Sequence, residues 1–425
     1  MDRNKPLYDR NERILLLAVF LFWFSVYTYP SFLTTYAVDE LKASGTVAGM
    51  IVGSYGLTQM VLRIPLGILS DLLKKRKPFI MLGFGFSIIA SAGMAVIARQ
   101  AGGEAVPRGL AIAMLVFRAI SGITAATWVH FSVLYSAGYR EDQVPAAMSR
   151  IAVPQCGSQI VAMLLGAQLA GRVGEIYAFL LATAAGVAGL IIMAFAPERR
   201  PTGSPLTFRG LLEVAKNRRL ISGTILATLL QTVSWATALG FVQNWAKEII
   251  GLSTAQLGYL SVANLLPTMI LSRFSGTVLL RRFGRKTVLA AGFVLLAAAC
   301  FFYPRTHSLA SLLTAQALLG AGTGLLMPLT MSSAIEEISE DKRGAAMGVY
   351  QAVYGLGMFI GPVLAGFVLE RFTPGENDLI PGYTAVFMMA MIISLAGLAA
   401  VSFGERPKAR PSRGLKGRIS DTGKS

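Results

Sequence analysis

Twelve long apolar runs divide this chain of 425 residues. Each run has about 20 residues or more, the length that an α-helix needs to cross the hydrocarbon core of a bilayer. The runs are numbered here as spans 1 to 12 and cover residues 14–37, 46–70, 78–98, 109–136, 145–170, 175–196, 220–246, 255–280, 286–304, 309–334, 344–369 and 382–403. This pattern predicts an all-α membrane protein with twelve transmembrane helices.

The composition agrees with a membrane protein and opposes a soluble globule. Apolar residues make up 54% of the chain, charged residues only 14%, and the mean hydropathy is +0.58. A soluble domain carries about 25% charged residues, so this chain lacks the polar surface that would keep such a globule dissolved. Cys156 and Cys300 lie alone within apolar runs, which indicates small buried side chains. We expect no disulfide and no metal site.

The net charge of +17 is explained by the distribution of lysine and arginine. If the N-terminus lies in the cytoplasm, 29 of the 39 basic residues fall in segments on the cytoplasmic side and seven on the opposite side. The other three, Arg63, Arg118 and Arg273, lie within spans. This bias predicts a multi-pass protein of the inner (plasma) membrane with both termini in the cytoplasm. Because the charge follows topology over seven separate segments, we expect no nucleic acid as a partner.

The longest connection, residues 197–219, separates six spans from six. We therefore assign residues 1–196 to an N-terminal half, 220–403 to a C-terminal half and 404–425 to a basic cytoplasmic tail. Short motifs recur at corresponding places in the two halves: Arg63 with Gly67 and Arg273 with Thr277, Arg118-x-x-Ser121-Gly122 and Gln316-x-x-Leu319-Gly320, Ala146-Ala147-Met148 and Ala345-Ala346-Met347. Such pairs predict two pseudo-symmetric bundles with a site between them near the membrane midplane.

The connection after span 2 contains a further motif, Gly67-x-x-x-Asp71-x-x-Lys74-Lys75-Arg76. It resembles the signature Gly-x-x-x-Asp-x-x-Gly-Arg-Lys/Arg of the major facilitator superfamily, with Lys74 in place of the second glycine. The resemblance implies a cytoplasmic gate in which Asp71 clasps the opposite half, while the alternative is that the basic run only sets topology. The gating candidates are Arg63, Gly67, Asp71, Lys75, Arg76, Arg273, Gly284 and Arg285.

Span 4 carries Arg118-x-x-Ser121-Gly122, which is similar to an arginine motif of proton-linked members of this superfamily. An arginine this deep in the membrane costs several kcal/mol on insertion, so we expect it to bind substrate or to take part in proton coupling. The alternative is a structural arginine satisfied by helix-end carbonyls. His130, farther along the same span, is a second candidate for proton coupling, although a lone histidine is more often a packing residue.

The resemblance makes spans 1, 4, 7 and 10 the helices of a central cavity. Polar and aromatic residues at helical spacing in these spans, and in spans 5 and 11, are the candidates for substrate contacts. Besides Arg118, they are Trp23, Tyr27, Gln155, Gln231, Trp235, Gln316, Gln351 and Tyr354. Each of these side chains is equally consistent with packing between helices.

The absence of acidic residues near the middle of any span is informative. A deep arginine without a buried acid makes a cavity positive, which favours anionic, zwitterionic or neutral substrates over organic cations. The sequence has no phosphate-binding Gly-x-x-x-x-Gly-Lys-Ser/Thr motif and no catalytic cluster, so we expect neither an enzyme nor a cofactor. Energy for transport then comes from a proton or other ion gradient.

These observations together predict a secondary transporter that works by alternating access and exports a small organic molecule, coupled to protons. The Gly-Pro motif of antiporter-type members, which belongs in span 5, is missing there, and this omission weakens an antiporter assignment. The alternatives are uptake of a small anionic or neutral metabolite by symport or uniport, and a lipid or lysolipid flippase. A membrane sensor without transport is the alternative from a different class. We expect a monomer whose partners are its substrate and the lipid bilayer.

Overall fold

The structure is a computed structural model that describes residues 10–101, 107, 109–137, 139, 143–198, 208–339, 342–373, 375 and 378–404. These residues form helices and connections, with no β-strand among them. Of the predicted segments, residues 1–9, 199–207 and 405–425 lie outside the described residues. For that reason the predicted boundaries of the two halves, of the central connection and of the tail stay predictions.

All twelve predicted spans are helical. Their bounds are Arg10–Tyr27 with Leu33–Asp39, Gly45–Leu73, Lys77–Ala101, Leu110–Ala126 with Trp128–Ser136, Val144–Arg172, Glu175–Ala194, Arg218–Ala236 with Thr237–Phe241 and Val242–Glu248, Thr254–Phe274 with Ser275–Leu279 and Leu280–Phe283, Arg285–Phe302, Leu309–Ile335, Arg343–Phe372 and Ile380–Gly404. Ten helices of the described chain are long and apolar enough to cross a membrane on their own. Span 1 is interrupted and begins with charged residues, and span 5 is richer in polar residues. The prediction of a twelve-helix membrane protein is confirmed.

Four spans are interrupted at places that the apolar pattern does not mark. Span 1 stops at Tyr27 and resumes at Leu33, because Pro30 between them has no N–H to donate to a helix. Span 7 contains a π-helical turn over Thr237–Phe241, where the backbone of Gly240 leaves the helical region with φ −108° and ψ −107°. π-Helical turns are frequent at functional sites. Here the turn lies beside the central cavity described below.

The two halves pack in the same way. In the N-terminal half, span 2 packs on span 4, span 3 on span 6, and span 1 on spans 5 and 6. In the C-terminal half, span 8 packs on span 10, span 9 on span 12, and span 7 on spans 11 and 12. Between the halves, span 2 packs on span 11 and span 5 on span 8. These contacts form two pseudo-symmetric bundles, which confirms the predicted fold class.

One of the paired sequence motifs has a clear packing role. A Cβ atom at Gly122 would lie 2.5 Å from the carbonyl oxygen of Tyr55, and one at Gly320 would lie 2.0 Å from the carbonyl oxygen of Asn264. Both glycines therefore allow a close approach of two helices within one half, span 4 to span 2 and span 10 to span 8. The repeated glycine marks equivalent contacts in the two bundles.

A short helix, Phe208–Val214, lies in the segment that the sequence analysis treats as a connection. Leu211 and Val214 are buried and pack in one cluster with Ala346 and Tyr350 of span 11. The helix lies within the predicted connection of residues 197–219, and its two buried side chains pack it against span 11 of the C-terminal half. Seven residues are too few for an apolar pattern to predict a helix.

Candidate functional site

A cavity of about 660 Å³ lies between the two halves. This volume is typical of small-molecule sites, which occupy about 300–1,000 Å³. Spans 1, 2, 4 and 5 form one side of its wall and spans 7, 8, 10 and 11 the other. The polar and aromatic residues of the wall are Trp23, Tyr27, Tyr55, Gln59, Arg63, Trp128, Ser132, Gln155, Gln159, Gln231, Ser234, Trp235, Ser261, Asn264, Thr268, Thr323, Gln351 and Tyr354.

The cavity extends to the membrane face that carries most of the lysine and arginine residues, here called the basic face. On that face its wall includes Gly67 and Ser132, near the ends of spans 2 and 4, and Met148, near the start of span 5. The C-terminal half contributes Ile335 and Gly344 at the same level. None of the described wall residues lies at the other end of a span, so the cavity is open toward the basic face.

Close glycine contacts between spans 2 and 11 shut the opposite face. A Cβ atom at Gly49 would lie 2.1 Å from the carbonyl oxygen of Pro362, and one at Gly366 would lie 2.0 Å from the carbonyl oxygen of Gly45. Spans 2 and 11 belong to different halves, so these glycines bring the two halves together. Only residues without a side chain permit such an approach of two backbones.

Two polar contacts between the halves reinforce this closure. The carboxylate of Glu370 accepts hydrogen bonds from the backbone N–H of Thr46, at 2.8 Å, and from its hydroxyl group, at 2.7 Å. This places a negative charge at the N-terminus of span 2, where the helix dipole favours it. Lys247 at the end of span 7 forms an ion pair of 2.6 Å with Asp39 at the end of span 1.

Seven of the nine predicted substrate residues lie in the cavity wall. They are Trp23, Tyr27, Gln155, Gln231, Trp235, Gln351 and Tyr354. The structure thus brings together aromatic and amide side chains from spans 1, 5, 7 and 11. Their contact with a substrate stays a prediction.

The structure corrects the expected position of Arg118. Its side chain is only 1% exposed and is not part of the cavity wall. The guanidinium packs over the ring of Tyr55, at 4.4 Å from its centroid, and lies 5.3 Å from the centroid of Tyr29. It donates a hydrogen bond of 3.3 Å to the hydroxyl of Ser121. The rotation of span 4 turns Arg118 toward Tyr55 of span 2, so its side chain does not line the cavity in this conformation. A contact of Arg118 with a substrate stays a prediction.

Gln316 is also placed differently from the expectation. It is fully buried and outside the cavity wall. Its side-chain oxygen accepts a hydrogen bond of 3.1 Å from Tyr303, and its backbone carbonyl lies 3.4 Å from the amide nitrogen of Asn264. These contacts place Gln316 between spans 8, 9 and 10, as a packing residue of the C-terminal half.

The cavity wall includes a stripe along span 2 that the sequence analysis missed. Tyr55, Gln59, Arg63 and Gly67 follow at intervals of four residues and therefore share one helix face. The spacing is visible in the sequence and would have indicated a cavity-facing stripe. Trp128 in span 4 and Asn264 in span 8 were missed as well, since the sequence does not show how each helix is rotated.

Arg63, proposed as a gating residue, lies in the wall of the cavity itself. It is 4% exposed, and its guanidinium donates to the side-chain oxygen of Gln351 in the other half and, at 3.1 Å, to the carbonyl oxygen of Ala125. Its Nε has no hydrogen-bond partner. Among the described wall residues, Arg63 is the one with a charge. The cavity therefore contains a cation without a carboxylate beside it.

The predicted gate residues on the basic face fall into two groups. Arg76, in the connection after span 2, donates to Asp71 and Ser70 in the last turn of that span. Lys74 has a φ of 52° in the left-handed region, which explains why the family motif has glycine at this place. Lys75 is exposed there. In this conformation the acid of the motif has a partner in its own half.

The corresponding residues of the C-terminal half are arranged differently. Arg285 pairs with Glu336 and donates a hydrogen bond of 2.9 Å to Ser332. Gly284 has a φ of 77°, which only glycine adopts readily. Arg273 is exposed and outside the cavity wall, in contrast to Arg63. The roles of both groups in gating stay predictions.

His130 is buried within the N-terminal half and does not line the cavity. Its Nδ1 lies 2.9 Å from the carbonyl oxygen of Thr127 and its Nε2 lies 3.3 Å from that of Leu66. The ring stacks on Phe79 at a centroid distance of 4.9 Å. Two carbonyl acceptors suit an imidazolium, which donates from both nitrogens, whereas the neutral ring donates from one.

Comparison with known proteins agrees with this architecture. The chain is 20% identical to the multidrug efflux pump LfrA of Mycolicibacterium smegmatis over 88% of its own length and 84% of that protein. It is 24% identical to the inner membrane transport protein YajR of Escherichia coli, over 82% of the chain and 75% of that protein.

Solved structures share the fold. The nucleoside transporter NupG has a TM-score of 0.73 at 17% identity, covering 93% of this chain and 98% of its own. A bacterial homologue of the human lysosomal transporter Spinster, in an inward-facing and unoccupied conformation, has a TM-score of 0.71 at 16% identity, covering 93% and 96%. The sequence model of the Major Facilitator Superfamily matches residues 15–232 and 224–421. With nearly all of its spans included in that match, the chain belongs to the Major Facilitator Superfamily.

Proposed function

We propose that the chain is a secondary active transporter that exports a small organic molecule across the plasma membrane by alternating access, in exchange for protons. The observation that carries the proposal is the cavity between the two halves, open toward the basic face and shut on the other. Rocking of the halves about this cavity would expose the same wall to either face in turn.

Two observations support export of an organic molecule. The basic face is the cytoplasmic face by the positive-inside rule, so this conformation would load its cavity from the cytoplasm. The wall contains six methionines, whose flexible side chains adapt to ligands of different shape: Met148, Met163, Met327, Met331, Met347 and Met358. The similarity to a multidrug efflux pump agrees with this direction.

Proton coupling needs a group that changes its protonation during the cycle. The described cavity wall contains neither a carboxylate nor a histidine. Our candidate is His130, because its two carbonyl neighbours would accept hydrogen bonds from an imidazolium. We therefore expect the proton to bind inside the N-terminal half, away from the substrate.

The test uses purified full-length protein in liposomes. A mixture of aromatic acids, amines and nucleosides is enclosed with or without a pH gradient, and flux is followed by mass spectrometry in vesicles sorted by protein orientation. We expect at least one solute to leave the vesicles in which the basic face of the protein is turned inward, and to leave faster with the gradient. Flux only in the reverse direction would indicate uptake, and flux independent of the gradient would exclude proton coupling.

A control locks the transporter reversibly. In a chain with Cys156 and Cys300 replaced by alanine, Asp39→Cys and Lys247→Cys place two thiols at the shut face, where the native side chains are in contact. A short reducible cross-linker joining them should stop flux, and reduction should restore it. Flux that continues through the cross-linked protein would refute alternating access.

A further inference from the structure

We propose that the substrate carries an aromatic ring and a single carboxylate or similar anionic group, and that Arg63 is the residue that binds this anion. The inference rests on the proposed function and names the substrate class of the same cavity. It follows from three features of the wall: its charge, the hydrogen-bonding capacity of Arg63 and its aromatic rings.

The charge of the wall is positive and uncompensated. Among the described wall residues Arg63 is charged and none is acidic. Asp71, on the same helix two turns farther along, pairs with Arg76 and lies outside the wall. A guanidinium does not lose its proton in proteins, so the charge of Arg63 persists at any working pH. An anion entering this cavity therefore meets a fixed cation with no carboxylate competing for it.

The hydrogen bonds of Arg63 leave room for a ligand. The guanidinium has five N–H donors. Its bonds to Gln351 and Ala125 go to neutral oxygens, and its buried Nε has no hydrogen-bond partner among the described residues. A carboxylate is a stronger acceptor than an amide and matches the planar guanidinium in a bidentate arrangement. Binding an anion would satisfy a group that the protein leaves 96% buried and without a counter-ion.

The rest of the wall fits a flat apolar body. Tyr55 of one half stacks on Trp235 of the other at a centroid distance of 5.5 Å and an angle of 16°. Trp23 and Trp128 meet edge to face at 5.1 Å on another side of the cavity. Such aromatic surfaces bind planar rings. The same electron-rich ring faces also attract cations, so the charge preference of the cavity has to be measured.

Three probes with one ring system separate the contributions of charge and ring. We would measure the binding of 2-naphthoate, 2-naphthamide and 2-naphthylmethylammonium to the purified full-length protein by isothermal titration calorimetry at neutral pH. A charge-assisted hydrogen bond predicts that naphthoate binds at least about tenfold more tightly than the amide. The ammonium compound should bind most weakly.

Two variants assign the preference to Arg63. Arg63→Gln should lower the affinity for naphthoate by at least about tenfold and bring it closer to that for the amide, whereas Arg63→Lys should keep part of the difference. Arg273→Gln is the matched control, because Arg273 occupies the corresponding place in span 8 but is exposed and outside the wall. It should leave all three affinities unchanged.

The inference is overturned if the preference for naphthoate over the amide is below tenfold, if the cation binds most tightly, if none of the probes binds, or if Arg63→Gln keeps the preference. Should Arg63→Gln fail to fold, the order of the three probes in the unaltered protein still decides. The liposome assay is independent of this result. Flux of other solutes alongside a wrong probe order would reject the anion assignment alone, and the absence of any flux would reject the transporter proposal.

Discussion

Gly366 provides the sharpest test of how the face opposite the cavity opening is held shut. A Cβ atom at this position would lie 2.0 Å from the carbonyl oxygen of Gly45 and 2.9 Å from the Cα of Thr46. Both neighbours are backbone atoms of span 2, so neither can rotate away. To restore an ordinary contact of about 3.4 Å, the ends of spans 2 and 11 must separate by about 1.4 Å. Gly366→Ala therefore acts as a wedge between the two halves.

The expected magnitude follows from the cost of overpacking. Inserting a methyl group into a tight contact costs about 1–3 kcal/mol. The cost arises only while spans 2 and 11 are in contact, so it falls on the conformation that is shut at this face. A difference of that size changes the ratio of two conformations by about 5- to 150-fold. We expect Gly366→Ala to populate a state that is open at this face.

The assay measures the distance between the halves at this face. Spin labels at Gln100→Cys and His307→Cys, in a chain without Cys156 and Cys300, report it by pulsed electron paramagnetic resonance. Both positions are exposed, Gln100 in the last turn of span 3 and His307 after span 9. Gly366→Ala should shift the distances to longer values.

The control is Gly320→Ala, which makes an equally close contact of 2.0 Å with the backbone of Asn264 within one half. It should lower thermal stability without changing the distance distribution. The reasoning is refuted if Gly366→Ala leaves the distances unchanged, or if Gly320→Ala shifts them equally.

Three further predictions concern charged groups. Asp39→Asn should favour the open face by up to about fivefold, because a half-exposed ion pair contributes about 0–1 kcal/mol, and exchanging the two residues as Asp39→Lys with Lys247→Asp should restore the original distances. Burial opposes the ionisation of Glu336, but its hydrogen bond with Arg285 and the charge of that residue outweigh burial and lower its pKa. This contribution to stability is present above the ordinary carboxyl value and is lost as the pH falls through the lowered pKa. Glu336→Gln should therefore lower the unfolding temperature by at most about 2 °C at pH 7 and by less in acid. Arg118→Met should raise the unfolding temperature and reduce flux, since it removes a buried cation that has only one hydrogen-bond acceptor in the side chains around it.

Each of these predictions has an outcome that contradicts it. If Asp39→Lys with Lys247→Asp still populates the state that is open at this face, the ion pair does not explain the effect of Asp39→Asn. An effect of Glu336→Gln that is the same at every pH would show that its charge is not responsible. A lower unfolding temperature for Arg118→Met would mean that its contacts with Tyr55 and Tyr29 stabilise more than its burial costs.

The fold could be predicted because the bilayer sets the length of each helix. Residues 46–70 were predicted for span 2 and the helix covers Gly45–Leu73, while residues 382–403 were predicted for span 12 and the helix covers Ile380–Gly404. Interruptions inside spans were not predicted. An apolar run continues through Pro30 and through Gly240 although the helix does not, because local backbone geometry decides there.

The cavity could be predicted only in part, because a sequence shows how deep a residue lies but not which way its helix is turned. Trp23, Tyr27 and Trp235 were predicted from depth and spacing, and they do line the cavity. Arg118 and Gln316 have the right depth in spans 4 and 10 but face neighbouring helices of their own half. The close approach at Gly122 and Gly320 brings those faces against spans 2 and 8. A glycine four residues after the polar residue, one helical turn away, thus indicated the packed face of the helix.

Because Arg118 is buried behind Tyr55, the positive charge of the cavity wall comes from Arg63 and not, as expected, from Arg118. Arg63 provides a cation in the wall, and Arg118 lies 4.4 Å behind the ring of Tyr55, which is itself part of the wall. Trp235 stacks on the same ring, so a ligand in the cavity would be roughly 8 Å or more from this second charge. A unit charge at that distance contributes at most on the order of 2 kcal/mol at an effective dielectric constant of about 20. Arg118→Met should therefore weaken naphthoate binding by up to about 30-fold and leave amide binding unchanged, so that the preference falls to the part that the direct hydrogen bonds of Arg63 provide. If Arg118→Met abolished the preference and Arg63→Gln did not, the anion would be bound by the residue behind the ring, and Tyr55 would have to move aside to admit it.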